Sequence, residues 1–410
     1  MKYGLIGERL GHSFSKEIHS RIGDYEYEPR EIAREDLEHF MTERDFLGIN
    51  VTMPYKEMVL PYLDEIDPVA QDIGAVNTVI NRDGRLYGYN TDFYGMTMLF
   101  DHAEIDVNGK KAAILGTGGT SNTAFAVLNN LGAKDIVKVS RSSNGGAISY
   151  DELKAMHSDV EIIVNATPCG MYPDIFSCPV DISGFNKLQG VIDAVYNPLN
   201  STLVQAARKR GISAEGGLYM LVAQALKASE LFTDNKYPSF MLDVIYEGVK
   251  AEKENVVLIG MPSSGKSTVG KLLAEKIGCD FIDTDELITD KIKMPIKDFF
   301  STYGEEKFRE VESEIIRGLV GRGGIVIATG GGAILRNENI ANLKYNGRLY
   351  FIDRPLDKLI ATDTRPLSSD RASIEQRYKE RYSIYCGCCD ELVEADADAQ
   401  AVADKILENF

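Results

Sequence analysis

The stretch from Gly260 to Thr268 constrains this chain more than any other. It reads Gly-Met-Pro-Ser-Ser-Gly-Lys-Ser-Thr and matches the pattern G-x-x-x-x-G-K-[ST]. A β-branched apolar run, 256–259, precedes it, and apolar residues at helical spacing follow it. In such a strand, loop and helix, backbone N–H groups surround a phosphate, Lys266 reaches the β/γ oxygens and Ser267 can ligate Mg²⁺. A nucleotide-binding domain therefore begins near residue 254, and the roughly 250 residues before it form something separate.

Length and charge bound the remaining possibilities. The 410 residues are enough for two or three domains. A net charge of −17 makes a general affinity for nucleic acid or an anionic membrane unfavourable, so anionic ligands need local Arg and Lys clusters. The first residues lack the apolar core of a signal peptide, and no run approaches the ~18 apolar residues of a membrane span. We expect a cytoplasmic protein that acts on small molecules, with no nucleic-acid or membrane partner.

The six cysteines, at positions 169, 178, 279, 386, 388 and 389, do not predict a disulfide framework in a chain of this length. The cluster Cys386-Gly-Cys388-Cys389 suggests a metal site at first sight. However, there is no second cysteine pair, and all five histidines lie at or before residue 157. We therefore expect unligated thiols.

Residues 1 to about 100 alternate short apolar strands with helical stretches, which is typical of an α/β fold. Strands are predicted at 3–6 and 46–51, with a helix after Ser15. Polar residues cluster where these strands end, at 52–56, 74–78 and 88–95. Ligands of α/β folds bind at such strand ends, so we predict a binding site there.

A second βαβ unit begins at residue 110. Strands are predicted at 110–115 and 136–140, with a glycine-rich turn and a helix between them. An acidic residue is usual at the end of the second strand of an NAD site, whereas a cation flanked by two hydroxyls suits the 2′-phosphate of NADP. Here the strand ends in Ser140-Arg141-Ser142. The alternative interpretation is that Arg141 is a solvated surface arginine. The predicted NADP-binding residues are Gly116, Gly118, Gly119, Thr120, Ser121, Ser140, Arg141 and Ser142.

Helical patterns near 225–232 and 240–249 lead into the charged segment 250–255, which is short enough to be a junction between two compact domains. We predict a first substrate-binding domain over 1–100 to which helices at 225–249 return. A dinucleotide-binding domain over 101–224 would then be inserted within it, and a phosphate-loop domain would cover 256–410.

Charged residues recur around the phosphate loop. A strand at 279–282 ends in Asp283-Thr-Asp285, and a strand at 324–328 is followed by Thr329-Gly-Gly-Gly332. Three arginines accompany them, Arg309, Arg365 and Arg381. The combination predicts an anionic acceptor for the phosphoryl group.

Six motifs in the N-terminal part make it resemble shikimate dehydrogenase: Ser13-Phe-Ser15, Asn50-Val-Thr52-x-Pro-x-Lys56, 74–78, Asn90-Thr-Asp92, 165–168 and 220–224. The resemblance implies that Ser13, Ser15 and Tyr196 hold the substrate carboxylate, and that Thr52, Asn77, Asp92 and Gln224 hold ring hydroxyls. It also implies that Lys56 and Asp92 form the catalytic pair. Lys16 stands where the family has proline.

The C-terminal part resembles shikimate kinase, and the two resemblances cover nearly the whole chain. The second implies a sheet of the nucleoside monophosphate kinase type, with Asp283 reaching Mg²⁺ through water and Asp285 binding the shikimate hydroxyls and assisting deprotonation. Lys358 stands where the family often has an arginine beside the adenine. The other residues implied are Arg309 and Arg381 for the carboxylate, Gly331 and Gly332 for the acceptor, the lid arginine Arg365 for the transferred phosphate, and Ser263, Ser264, Gly265, Lys266, Ser267 and Thr268 for ATP.

The resemblances together imply a bifunctional enzyme that reduces 3-dehydroshikimate with NADPH and then phosphorylates shikimate with ATP and Mg²⁺. Two alternatives stay open. One keeps the folds and changes the substrates, with quinate oxidised in the first half and another polyol phosphorylated in the second. In the other, one half is catalytically silent and acts as a binding or regulatory module.

Overall fold

The computed structural model describes residues 1–10, 14–142, 146–360, 371–408 and 410. The chain divides into two compact units, Met1–Val249 and Lys250–Phe410. Both are α/β, as the sequence predicts. No helix in the described ranges is long and apolar enough to cross a membrane.

The first unit begins with a six-stranded sheet in the order β2-β1-β3-β5-β6-β4, in which β5 runs antiparallel to β3 and β6. Its elements are β1 (Tyr3–Gly7), α1 (Ser15–Ile22), β2 (Tyr27–Glu31), α2 (Leu37–Glu43), β3 (Gly48–Val51), α3 (Tyr55–Met58), β4 (Glu65–Ile66), α4 (Pro68–Ile73), β5 (Thr78–Arg82), β6 (Arg85–Tyr89) and α5 (Thr91–His102).

A second, five-stranded sheet follows in the same unit. Its order is β11-β10-β9-β7-β8 and all its pairs are parallel. Its strands and their helices are β7 (Lys111–Leu115), α6 (Gly119–Asn130), β8 (Asp135–Val139), α7 (Tyr150–Met156), β9 (Ile162–Asn165), β10 (Gly190–Asp193), α8 (Thr202–Lys209) and β11 (Ser213–Glu215).

Two long helices follow, α9 (Leu218–Thr233) and α10 (Phe240–Lys253), and residues 250–253 of α10 lie beyond the end of this unit at Val249. The predicted domain boundary at 224 falls inside α9. Val222 of this helix packs in the cluster that contains Val164 of the second sheet, while Phe232 packs with Leu5 of the first. Because one uninterrupted helix supplies core residues to both sheets, the chain returns to the first sheet without a break.

The segment predicted as a junction, 250–255, is nearly all regular structure. Helix α10 continues to Lys253, where the Glu254 N–H still donates to the Lys250 carbonyl oxygen at 2.7 Å. The next strand starts at Asn255, whose side chain is buried and bonds to the backbone of Arg322 and Ile325. Only Glu254 lies between helix and strand.

The second unit has a five-stranded parallel sheet in the order β13-β14-β12-β15-β16. Helix α13 is interrupted at Gly304, where φ is 83°. The elements are β12 (Asn255–Ile259), α11 (Lys266–Ile277), β13 (Phe281–Asp283), α12 (Thr284–Ile292), α13 (Ile296–Gly318), β14 (Val326–Ala328), α14 (Asn337–Lys344), β15 (Gly347–Asp353), α15 (Arg371–Cys388), β16 (Glu391–Glu394) and α16 (Ala399–Glu408).

Several strands begin later than their apolar runs predict, and β14 starts at Val326 and not at 324. Strand β3 starts at Gly48 and not at 46, and the N–H groups of Leu47 and Gly48 both donate to the Lys2 carbonyl oxygen, at 2.9 and 3.2 Å. The N–H of Cys279 donates to the Ala274 carbonyl oxygen in the turn that ends α11, so β13 starts at Phe281. At Cys279 the backbone donor is thus used by the end of the preceding helix before the ladder begins.

Candidate active sites

The first candidate site lies where β3 and β6 of the mixed sheet lead into helices. Lys56 is in the short helix α3 after β3, and Asp92 is in the first turn of α5. The Asn90 side chain caps α5 by accepting from the Phe93 N–H at 3.2 Å. Lys56 Nζ donates to Asp92 Oδ2 at 2.5 Å, and the two side chains are only 19% and 12% exposed. The predicted catalytic pair is therefore brought together in a sheltered position.

A buried chain of hydrogen bonds connects two other predicted residues beside this pair. The Asn77 side chain donates to Thr91 Oγ1 at 3.0 Å and accepts from the Thr91 N–H at 2.7 Å. Thr91 Oγ1 in turn donates to Gln224 Oε1 at 3.4 Å, and Gln224 Nε2 donates to the Leu221 carbonyl oxygen at 2.8 Å. Asn77 on the sheet side and Gln224 on α9 are thus oriented through Thr91.

Sequence reasoning assigned no role to the residues behind this chain of hydrogen bonds. Asn50 is buried within β3, accepts from the Tyr27 hydroxyl at 2.8 Å and donates to Thr78 Oγ1 at 3.0 Å. Thr78 lies within 3.2 Å of Thr91 Oγ1. An amide inside the apolar run Gly48–Val51 was the available signal, because a buried polar side chain needs partners.

The residues predicted for the substrate carboxylate come from the start of α1 and from the loop after β10. Ser15 is buried at the start of α1. Thr52, which is predicted for a ring hydroxyl, is half-buried after β3. The Phe14 ring packs edge-on against the Tyr196 ring at 5.2 Å between centroids, which brings the loop after β10 to the start of α1. Burial raises the pKa of the Tyr196 hydroxyl, so it is a neutral donor near neutral pH. Ser13 lies outside the described residues.

The glycine-rich turn of the second sheet is held by Ser121. Its Oγ donates to the Gly116 carbonyl oxygen at 2.8 Å, and the residue is fully buried. Gly116 has φ 110°, and a Cβ there would lie 3.0 Å from the Thr167 methyl group. A Cβ on Gly118 or on Gly119 would meet nothing within 4 Å in the described structure. The backbone therefore leaves open space at the start of α6, where a pyrophosphate can approach.

The end of β8 carries the hydroxyls and the cation that the sequence predicts. Ser140 Oγ and Ser142 Oγ lie 3.2 Å apart, and the Ser142 N–H donates to Ser140 Oγ at 3.4 Å. Arg141 is exposed between them, and Thr120 is half-buried in the first turn of α6. The turn can surround a phosphate and offers no carboxylate of its own.

Asp193 joins the carboxyl ends of β9 and β10. It is buried, and it accepts from Ser201 Oγ at 2.6 Å, Asn165 Nδ2 at 2.8 Å and the Val195 N–H at 3.0 Å. Burial raises the pKa of this carboxyl to about 6, despite the three donors. The cluster fixes the loop that carries Tyr196.

In the second unit the phosphate loop has the conformation that its glycines permit. Gly260, Ser263 and Gly265 have φ of 150°, 64° and 99°. Lys266 is buried, and its Nζ donates to the carbonyl oxygens of Gly260 and Met261 at 2.9 and 2.8 Å. The lysine is thus held across the loop. Ser264 is buried beside it, and Thr268 follows in the first turn of α11.

The residues predicted around Mg²⁺ lie together. Ser267 Oγ donates to Asp283 Oδ2 at 2.6 Å, and Asp283 Oδ1 accepts from the Asp285 N–H at 2.9 Å as it caps α12. A hydroxyl and a carboxylate are oxygen ligands of the kind Mg²⁺ takes, with substrate phosphates and waters completing its shell. Within the described residues no group of three or more His, Cys, Asp or Glu could hold a metal by itself.

The predicted acceptor residues surround the glycines after β14. Buried Arg309 donates to Glu312 Oε2 at 2.7 Å and to Glu305 Oε1 at 3.0 Å. Buried Arg381 donates to the Gly331 carbonyl oxygen at 2.9 Å. A Cβ on Gly332 would lie 2.2 to 2.4 Å from the Arg309 guanidinium, so only glycine allows this approach.

Three further residues of the acceptor region were not predicted. Burial raises the pKa of the Glu312 carboxyl, although Arg309 opposes the shift. The Tyr385 hydroxyl donates to the Gly331 carbonyl oxygen at 2.6 Å, and Thr284 Oγ1 accepts from the Gly330 N–H at 3.0 Å. The signal for Glu312 was its place three residues after Arg309 on a helix.

Three sequence-based expectations remain. Lys358 Nζ donates to the Asp396 carbonyl oxygen at 2.7 Å. Arg365 lies outside the described residues. The six cysteines are free, and burial raises the pKa of the Cys388 thiol to about 11, which makes it a poor nucleophile and metal ligand.

Comparison with known proteins agrees with this geometry. Residues 5–79 match the family model for the shikimate dehydrogenase substrate binding domain, and residues 262–410 match the model for shikimate kinase. A shikimate dehydrogenase (NADP(+)) of Clostridium perfringens is 38% identical over an alignment of 266 positions, which covers 60% of this chain and 98% of the relative.

Solved structures give the same answer. Shikimate dehydrogenase 1 from Peptoclostridium difficile is 40% identical with a TM-score of 0.56, covering 61% of this chain and 98% of that one. A chorismate mutase/shikimate 5-dehydrogenase fusion from Clostridium acetobutylicum is 35% identical with a TM-score of 0.57, covering 60% and 96%. A Thermus thermophilus enzyme in complex with NADP(H) and shikimate is 28% identical, with a TM-score of 0.54 over 60% and 99%.

A dinucleotide fold with a lysine–carboxylate pair, followed by a phosphate-loop fold with an arginine-lined acceptor region, defines a dehydrogenase joined to a kinase. The chain belongs to the shikimate dehydrogenase (NADP) family and carries a shikimate kinase domain in its C-terminal part. It is a fusion enzyme of the shikimate pathway, and the family resemblances and the fold predicted from the motifs are confirmed.

Proposed function

We propose that the two units catalyse consecutive steps, reduction of 3-dehydroshikimate to shikimate and phosphorylation of shikimate at its 3-hydroxyl. The observation that carries the first step is the 2.5 Å contact between Lys56 Nζ and Asp92 Oδ2. NADPH supplies the hydride when it is bound. Lys56 then donates a proton to the oxygen that becomes an alkoxide, and Asp92 keeps the ammonium oriented towards it.

Substrate positioning in the reductase follows from the same neighbourhood. Asn77 and Gln224 are hydrogen-bonded through Thr91 and so present their remaining donor and acceptor capacity in fixed directions. We assign the ring hydroxyls to four residues, which are Asn77, Gln224, Thr52 and Asp92. The carboxylate is assigned to Tyr196 and to the serines at the start of α1, Ser13 and Ser15.

NADPH is assigned to the turn at the start of α6 and to the end of β8. The open space over Gly118 and Gly119 supports a pyrophosphate there. Arg141 between two hydroxyls supports the 2′-phosphate, and the NADP-linked relatives favour the same dinucleotide. The residues assigned are Gly116, Gly118, Gly119, Thr120, Ser121, Ser140, Arg141 and Ser142.

In the kinase, we assign the shikimate carboxylate to Arg309 and Arg381. Both guanidinium groups are buried beside the backbone of Gly331 and Gly332, which supports binding of a small planar anion. Asp285 lies beside the preceding glycine, with Oδ1 2.7 Å from the position of a Cβ on Gly330. We assign to Asp285 the shikimate hydroxyls and assistance in removing the proton.

ATP is assigned to the phosphate loop, with contacts from Ser263, Ser264, Gly265, Lys266, Ser267 and Thr268. Lys266 would exchange its bonds to the loop carbonyls for phosphate oxygens and so neutralise charge. Ser267 and Asp283 would hold Mg²⁺, which neutralises phosphate charge when it is bound. Arg365 is assigned to the transferred phosphoryl group on the family resemblance alone.

The organisation of the chain is proposed as a substrate domain over 1–100 with helices 225–249, a dinucleotide domain over 101–224, a junction at 250–255 and a kinase over 256–410. We also propose that the enzyme is cytoplasmic, with small-molecule substrates and no nucleic-acid or membrane partner. The net charge of −17 supports the absence of a nucleic-acid partner.

A pair of assays on the full chain tests the proposal. NADPH oxidation with 3-dehydroshikimate reports the first step, and ADP release with shikimate, ATP and Mg²⁺ reports the second. The Lys56→Met variant should lose reduction and keep phosphorylation, and Lys266→Met should do the reverse. Loss of both activities in either folded variant contradicts separate sites. A silent assay in the wild-type chain refutes the function of that unit, and preferred turnover of quinate with NAD supports the alternative substrate.

A further inference from the structure

Arg354 directly follows the carboxyl end of strand β15, which lies between β12 and β16 in the kinase sheet. Strand β15 pairs with β12, with Phe351 opposite Ile259. Where β12 ends, a Cβ on Gly260 would lie 2.8 Å from the Ile352 carbonyl oxygen, so the two segments remain close as the loop begins. The residues just after β15 therefore lie beside the phosphate loop.

The guanidinium of Arg354 reaches the glycine immediately before Lys266. Its Nη1 is 3.9 Å from the position that a Cβ on Gly265 would take. In the described structure no other group lies within 4 Å of that position, apart from the residues next to Gly265 in the chain and the backbone of α11. Gly265 is the N-cap of α11, where phosphates bind to backbone N–H groups.

The described part of the chain provides no partner for this cation. Arg354 Nε is buried without a hydrogen-bond acceptor, and none of its nitrogens forms an ion pair there. The adjacent carboxylate is used elsewhere, since Asp353 Oδ2 accepts from the Tyr382 hydroxyl at 2.9 Å. By contrast, Arg348 near the other end of β15 pairs with Glu391 at 3.3 Å.

A guanidinium is always charged, and burying its N–H groups without an acceptor is unfavourable. An arrangement of this kind is stabilised when an anion supplies the missing acceptors. We propose that Arg354 is a further nucleotide-binding residue, which contacts the phosphate chain of ADP or ATP next to Gly265. The inference rests on the nucleotide site proposed above and adds a cation from outside the loop motif.

Nucleotide binding to the full chain tests this assignment without requiring turnover. Dissociation constants for ATP, ADP and adenosine would be measured by displacement of a fluorescent ADP analogue. Arg354→Ala should weaken ATP and ADP by about 10-fold, because a charge-assisted contact is lost, and should change adenosine little. Arg354→Lys should restore part of the affinity as a point charge.

Arg348→Ala is the matched control, because it removes an arginine near the start of β15, away from the phosphate loop. It should leave all three dissociation constants unchanged. Thermal unfolding without nucleotide separates binding from folding: Arg354→Ala should be at least as stable as the wild type, since an uncompensated cation is removed. Arg354→Gln keeps the chain length and an N–H donor, and it replaces the alanine variant if that variant does not fold.

Two outcomes would overturn the assignment. One is ATP and ADP affinities within twofold of the wild type in the Arg354→Ala variant. The other is an equal loss for adenosine and ADP, which would place the contact at the base or ribose. A wild-type chain that binds ADP but does not phosphorylate shikimate would refute the kinase proposal. The binding constants of the Arg354 variants would still test the assignment of Arg354.

Discussion

Lys56 and Asp92 stand 36 positions apart in the sequence, yet Lys56 Nζ lies 2.5 Å from Asp92 Oδ2. A short helix after β3 and the capped start of α5 bring them together. Asp92→Asn keeps the shape of the side chain and removes its charge. We expect the turnover rate of the reductase to fall by about 100-fold with saturating 3-dehydroshikimate, since the ammonium loses its orienting carboxylate.

The control for this variant is Glu65→Gln, which makes the same chemical change in the exposed pair of Glu65 with Arg85. An exposed ion pair contributes little, so kcat and KM should stay unchanged. A turnover rate for Asp92→Asn within threefold of the wild type would remove Asp92 from the catalytic pair.

Dinucleotide preference should depend on the turn after β8. Arg141→Ala is expected to raise the KM for NADPH by about 10-fold while the KM for NADH changes little, because only NADPH carries the 2′-phosphate. Lys138 lies on β8, and its Nζ donates to Asn122 Oδ1 of α6. Lys138→Ala removes this cation and should leave both KM values unchanged. Equal increases for the two dinucleotides would speak against a 2′-phosphate contact.

The close approach of Gly332 to Arg309 predicts a selective defect in the kinase. A methyl group at 332 would lie 2.2 to 2.4 Å from the guanidinium, so Gly332→Ala must displace it. We expect the KM for shikimate to rise at least about 10-fold, because charge-assisted contacts to its carboxylate are lost. The KM for ATP should be nearly unchanged. Gly318→Ala adds the same methyl group in open space, and normal kinetics there would show that displacement is the cause.

Two buried groups of the first unit should give opposite pH dependences. Burial lowers the pKa of His19 to about 3, whereas His19 in an unfolded chain titrates near 6.5. Its contribution to stability is present above pH 6.5 and is lost as pH falls. Burial raises the pKa of Asp193 to about 6, so its contribution is present below pH 3.8 and is lost as pH rises through 6. Each slope is about 1.4 kcal/mol per pH unit, and they oppose one another between pH 4 and 6.

Denaturant unfolding of the first unit between pH 4 and 7 checks this. Relative to the wild type, His19→Gln should lose stability as pH rises, and Asp193→Asn should gain it. Exposed His39, which pairs with Glu43 on the surface, serves as the control through His39→Gln. Variant and wild-type curves of the same slope would show that neither buried group titrates as its surroundings require.

Residues fixed by backbone chemistry could be predicted from the sequence. The loop at Gly260 and the turn at Gly116 have the positive φ that their glycines permit, and each stands between a strand and a helix as its motif requires. These features depend on neighbours in the chain, so local reasoning finds them.

The roles of residues that act through distant partners were not predicted. Asn50, Thr91 and Tyr385 matter through side chains from other elements, and the sequence does not show which elements will meet. Arg354 has no signature at all, since its position depends on the pairing of β15 with β12. The helical state of 250–253 was not predicted, because charged residues occur both in linkers and on exposed helix faces.

The single residue between α10 and β12 limits how the two activities can be separated genetically. A stop codon on the N-terminal side of Glu254 removes the last turn of α10 from the first product. A start codon beyond Asn255 removes from the second product the amide that bonds to Arg322 and Ile325. Proteases that need an extended, accessible substrate find little backbone between Phe240 and Ile259 that is outside regular structure. Gene splitting therefore has essentially one position at which both products keep their secondary structure.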